Sequence, residues 1–199
     1  MKIGIIILLL LNLTSFTWAA GIKGACDVRF FVTTIVEDFF GTARCQPFMV
    51  DIELNADGER IFRNVEVDVP ISEMDTQKKA RDKKLREMFQ SETFPYIHVS
   101  ARNVEPYRIR QEMKGGEKGG GALDLVIKIR DIEHKITARL SGLQESAERI
   151  SLEMEFPVSL KDYRLKPPSP FFGLIRVDDK VIVKVTVGLE ARPVEVFSR

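Results

Sequence analysis

The chain has 199 residues carrying 30 basic and 29 acidic side chains, a formal net charge of +1. A balance this even excludes nucleic acid as the main partner, because holding phosphates by counterion release takes a basic excess. The only two histidines, His98 and His134, sit far apart on polar faces with no Cys/His cluster beside them, so no metal site at ordinary ligand spacing is expected.

Met1-Lys2 supplies a positive start, residues 3–11 an apolar run broken by Gly4, and Thr17-Trp18-Ala19 a cleavage pattern ending at Ala19. That is the order of a secretory signal peptide, and the run is shorter than the ~20 apolar residues of a spanning helix. The alternative, a retained anchor, lacks a stop-transfer flank. Residues 1–19 are therefore expected to be a signal peptide and 20–199 one domain, periplasmic or secreted. Loss of Lys2 leaves 29 charges of each sign. Cys26 and Cys45, an even pair in an exported chain, read as a disulfide, with two buried free thiols as the alternative. Lys23-Gly24-Ala25 before Cys26 is a poor match to a lipid-anchoring site.

Period-two alternation dominates the rest, the mark of half-buried strands. In chain order, strands are expected at 28–35, 42–54 and around Val65, Val67 and Val69. Others follow at Ile97, Val99 and Ala101, at Leu123, Leu125, Ile127 and Ile129, and at Ile136, Ala138 and Leu140. The clearest runs come last: Ile150, Leu152, Met154, Phe156, Val158 and Leu160, then Val181, Val183, Val185, Val187 and Leu189. Turns are expected at residues 55–58, at the glycine-rich 115–121 and at 177–180. The glycine loop lacks a Gly-Lys-Ser/Thr ending and a following helix, so it reads as a hairpin loop and not a phosphate cradle.

One stretch, 72–89, has helical spacing at Met74, Lys78, Arg81, Leu85 and Met88, with Ser72 and Asp75 approximating a capping box and Asp82 placed to pair with Lys78 or Arg86. About eight antiparallel strands with one helical excursion, between the third and fourth strands, predict an all-β domain. An up-and-down barrel fits best and a sandwich is the alternative. A barrel of about eight strands either fills with side chains or holds one small ligand. No Gly-x-Ser-x-Gly occurs, and the acidic pairs Glu37-Asp38 and Asp178-Asp179 lie in turns, so no catalytic site is expected. The phenylalanines suit either a packed core or a ligand cavity. The basic run from Lys78 to Arg86 reads as a solvated helix face or as transient contact with an anionic membrane surface.

The order Arg81-Asp82-x-x-Leu85, Phe94-Pro95 after three strands resembles the signature of the YceI-like family. Gly41, residues 123–136 and residues 163–189 extend the resemblance to most of the mature chain. Departures fall at the first strand, without the histidines often seen there, and at Arg130-Asp131-Ile132, where the family has a glycine-containing turn. The resemblance implies an exported lipocalin-like barrel that binds polyisoprenoid chains such as quinone tails, with a bound isoprenoid lipid in place of any cofactor. Leu125, Ile127, Ile129, Leu152, Met154, Phe156, Val158, Val181, Val183, Val185 and Val187 would then line the tunnel, with Phe171, Phe172 and the helix at its mouth. The competing readings are a partner-binding envelope module with a filled core and, last, an enzyme on the same scaffold. The sequence leaves a homodimer open.

Overall fold

The structure is a computed structural model that describes residues 20–34, 37–115, 120–146, 148–167, 178–190 and 194–195. Ten strands are described: β1 (Ala20–Val32), β2 (Phe39–Arg44), β3 (Phe48–Leu54), β4 (Arg60–Pro70), β5 (Tyr96–Val104), β6 (Ala122–Ile129), β7 (Ile132–Glu145), β8 (Arg149–Ser159), β9 (Lys180–Glu190) and β10 (Val194–Glu195). Helices α1 (Lys79–Phe89) and α2 (Pro106–Gly115) fall before and after β5. All pairings are antiparallel and run in order from β3 to β9.

The sheet closes through β1. One edge of β1 pairs with β3 over 20–24 and with β2 over 27–32. The other edge pairs with β9 over 24–31, and β10 continues that line at Ala20 and Gly21. Counting β2 with β3 and β9 with β10, eight staves form a closed barrel, which removes the unpaired edges an open sheet would carry. The all-β, antiparallel, eight-stave barrel expected from the alternation is what forms.

The helix position is corrected. Residues 42–54, expected as one strand, are two. Pro47 has no N–H to donate, and the backbone bulges at 45–47: Cys45 N–H bonds Cys26 O at 3.1 Å, while Gln46 N–H turns to Asp68 O of β4 at 2.8 Å. The helix thus follows the fourth strand. It also starts later than its spacing suggests. After a single 3₁₀ turn at Ile71–Glu73, Asp75 is held extended against β2 by two backbone bonds with Thr42, both 2.9 Å, and Gln77 adopts φ 61°. Ser72 therefore does not cap α1. Helix α2 was not expected: its ten residues present only Ile109 and Met113 as an apolar i,i+4 pair, behind Pro106 at the first position.

Cys26 and Cys45 are joined as a disulfide, with Cα atoms 5.4 Å apart across 19 residues of sequence. Closing a loop of this length stabilises by roughly 3 kcal/mol. Two inward glycines accommodate aromatic rings from the neighbouring strand: a Cβ at Gly41 would overlap the Phe30 ring, and one at Gly24 the Phe48 ring. Gly41, part of the family resemblance, is thereby explained by packing.

The turn at Arg130 also has a physical account. Arg130 takes a left-handed φ of 57°, and its guanidinium donates to the carbonyls of Tyr163 at 2.7 Å and Arg164 at 3.1 Å. The side chain ties the β6–β7 hairpin to the 160–165 segment, a task a glycine could not perform. Tyr163 is 1% exposed, donates its hydroxyl to Ile127 O at 3.2 Å, and meets His134 edge-on at 5.0 Å. His134 is thus half-buried, with Nε2 3.0 Å from Asp162 O, and not a solvated side chain.

Burial, with Asp162 nearby, pushes the Tyr163 phenol up to about 12. The folded state therefore retains a proton that the unfolded chain releases near pH 10. Its stabilisation is complete below pH 10 and falls as pH rises from 10 to 12. Denaturation midpoints across pH 9–12 should drop for the wild type, and Tyr163→Phe should flatten that drop; equal slopes would refute the assignment.

Candidate functional site

Alternation sets one face of every stave inward, and the inward face is apolar on all of them. In a filled barrel these side chains would be wholly enclosed. Here Val28, Val65, Val67, Val99, Leu152, Val183, Val185 and Val187 point inward yet remain partly exposed, because they border a cavity of about 570 Å³. Its volume lies within the usual range for small-molecule sites, about 300–1,000 Å³. Valine explains the void: its short side chain covers the sheet without reaching the opposite wall.

All eleven described residues expected to line a tunnel do line this cavity: Leu125, Ile127 and Ile129 from β6; Leu152, Met154, Phe156 and Val158 from β8; Val181, Val183, Val185 and Val187 from β9. Met154 and Val185 are register partners across β8 and β9. Phe171 and Phe172 lie outside the described residues. Lining residues not singled out from sequence include Cys26, Val28, Phe30 and Val32 of β1 and Pro106 and Ile109 of α2. The β1 set alternates as clearly as β9, so the signal was there; α2 gave little.

The two ends differ. At the α2 end, strands β5 and β6 pair only over Ile97–Ser100 and Val126–Ile129, and buried Ile109 fills the flare beyond. Leu143, Ile150 and Leu189 complete an apolar floor. At the α1 end the lining reaches solvent through Glu37, Lys78, Ala80 and Lys84, all exposed. This is the mouth.

Helix α1 is docked across the mouth by the residues of the sequence signature. Asp82 is 8% exposed and accepts from Thr76 N–H at 2.9 Å and Thr76 Oγ at 2.5 Å. It pairs with neither Lys78 nor Arg86, contrary to the spacing argument, because its carboxylate is turned onto Thr76 in the segment before the helix. The Arg81 guanidinium stacks 3.7 Å from the Phe39 ring centroid. Leu85, with Met88 and Phe89, faces the cavity. Half-buried Phe94 donates its N–H to Gln90 O at 2.9 Å, and Pro95 O accepts from Ile71 N–H at 2.9 Å, fixing the exit into β5. Lys78 pairs with Glu37 at 3.3 Å, joining α1 to the β1–β2 connection.

Among the described residues no group of three or more His, Cys, Asp or Glu side chains is placed to hold a metal, and no helix is long and apolar enough to cross a membrane. His98 lies outside the cavity lining, with Nδ1 2.6 Å from Asp68. Asp179 accepts from Lys161 N–H and Ser159 Oγ, both at 2.9 Å. These bonds, the backbone one foremost, hold its carboxyl below the usual range.

The family model described as "YceI-like domain" matches residues 27–189. The chain belongs to the YceI-like family. Solved structures share its fold at low identity. A polyisoprenoid binding domain from Saccharophagus degradans, implicated in plant cell wall breakdown, is 12% identical with a TM-score of 0.56, covering 87% of this chain and 99% of its own. Burkholderia cenocepacia BcnA is 10% identical with a TM-score of 0.58, covering 82% and 95%. The Campylobacter jejuni YCEI protein is 15% identical with a TM-score of 0.50, covering 72% and 80%. No curated protein matches the chain. In this YceI-like barrel the signature Asp is a docking group: its carboxylate anchors the loop that carries α1 to the mouth.

Removing that acceptor would strand the buried Thr76 N–H. Asp82→Ala should destabilise the fold by about 2 kcal/mol in urea denaturation, with Asp82→Asn intermediate. A loss below about 0.5 kcal/mol, the range of an ordinary surface substitution, would show that the bond does not hold α1 in place.

Proposed function

We propose that this chain is an exported, non-enzymatic carrier that holds a long-chain apolar lipid, a polyisoprenoid or isoprenoid quinone, inside its barrel. The hollow apolar cavity with one polar end carries the reading. Such a ligand is insoluble, and burial in an apolar lumen favours it by roughly 0.8 kcal/mol per methylene. The lining along β8 runs from Ile150 to Val158, eight residue steps or roughly 26 Å of strand, which suits an elongated molecule. The description of the Saccharophagus degradans relative as polyisoprenoid binding supports the same class. The signal-like leader at 1–19 supports a periplasmic or secreted location. The filled-core partner-binding module is disfavoured by the cavity itself.

A bulky ring placed mid-lumen should exclude the ligand while sparing the fold. Met154→Trp and Val185→Trp, assayed separately with geranylgeraniol, should each lower affinity at least about tenfold, with far-UV circular dichroism unchanged. Undiminished binding in both folded variants would overturn the assignment of this lumen.

A further inference from the structure

We propose that the lipid carried in this barrel has an anionic head group, a phosphate or carboxylate, seated at the mouth against Lys84 and Arg81. The inference rests on the carrier reading and, within it, selects a chain with an anionic head over a neutral quinone.

Four charged side chains belong to the cavity lining among the described residues: Glu37, Lys78, Arg81 and Lys84. All four gather where α1 meets the β1–β2 connection. They do not cancel. Glu37 and Lys78 pair with each other at 3.3 Å, which leaves two cations. Arg81 is oriented by the Phe39 ring at 3.7 Å, a contact that holds the guanidinium without neutralising it. Lys84 has no carboxylate partner among the described residues.

The acids of α1 are committed elsewhere. Asp82, between the two cations in sequence, is buried on Thr76. Glu87 pairs with Lys83 at 3.9 Å, and Lys83 is outside the lining. A generally basic helix would spread its charge around the exposed face, as Lys79 and Lys83 do. Arg81 and Lys84 instead share the cavity side with Leu85 and Met88. That arrangement suits apolar stems against the lipid chain and charged ends at the rim. A neutral head would meet only their hydration there. An anionic head gains charge-assisted hydrogen bonds, about twice as strong as neutral ones.

The test compares chains that differ only in the head. Equilibrium binding is measured for geranylgeranyl phosphate against geranylgeraniol, and for palmitate against hexadecanol, without membranes. The expected result is that the anionic member of at least one pair binds about tenfold tighter to the wild type. Lys84→Ala should erase most of that preference, and Lys79→Ala, on the outward face, should leave it intact. Equal affinities within both pairs, with binding retained, would overturn the anionic head and leave the carrier reading standing. A preference that survives in folded Lys84→Ala, Lys84→Glu and Arg81→Gln variants would also overturn it. Failure to bind any of the four would remove both readings together. If the preference arises only when anionic vesicles are added, the cations serve a membrane surface and the proposal fails.

Discussion

Strand β1 is hydrogen-bonded along both of its edges, and this double pairing closes the barrel. An open sheet would carry two rows of unpaired N–H and C=O groups at its edges, and closing the sheet on itself pairs them. Strand β1 does this by pairing with β2 and β3 on one side and with β9 on the other. The disulfide sits at the bulge where β2 gives way to β3 and links it covalently to β1. Backbone closure, not core packing, holds the walls apart, and a void of about 570 Å³ can then persist between them.

Within that frame, residue size sets the shape of the lumen. Valines along β1, β4 and β9 keep the middle open, whereas Phe30 and Phe48 fold flat over Gly41 and Gly24 instead of projecting across it. The ends are finished by helices of opposite character. Helix α2 brings Ile109 into a gap the β5–β6 pairing leaves, and the floor is apolar. Helix α1 brings cations and is tied down through Asp82, Arg81 and the Glu37–Lys78 pair. An apolar chain with a polar end would have one orientation in such a site.

Much of this was legible in the sequence because a half-buried strand writes its burial directly as alternation. The inward faces of β6, β8 and β9 were readable to the residue. What failed to register were features decided by tertiary hydrogen bonding. The bulge at 45–47 depends on Asp68 accepting from Gln46, a residue more than 20 positions away. The late start of α1 depends on Asp75 being captured by Thr42. The partner of Asp82 could not be found from i,i+4 spacing, because the carboxylate bonds Thr76, which lies before the helix and not on its surface. Whether the lumen is hollow was equally out of reach, since the same valines and phenylalanines build a packed core or line a cavity.

A lumen that carries a long apolar lipid should be found occupied in the cell. Native mass spectrometry of the protein purified from its native cells, followed by organic extraction, reads that occupancy. A carrier shows a stoichiometric mass increment that is recovered on extraction as an isoprenoid or acyl lipid. A clean apo mass, unchanged after incubation with quinones and polyprenols, would contradict it.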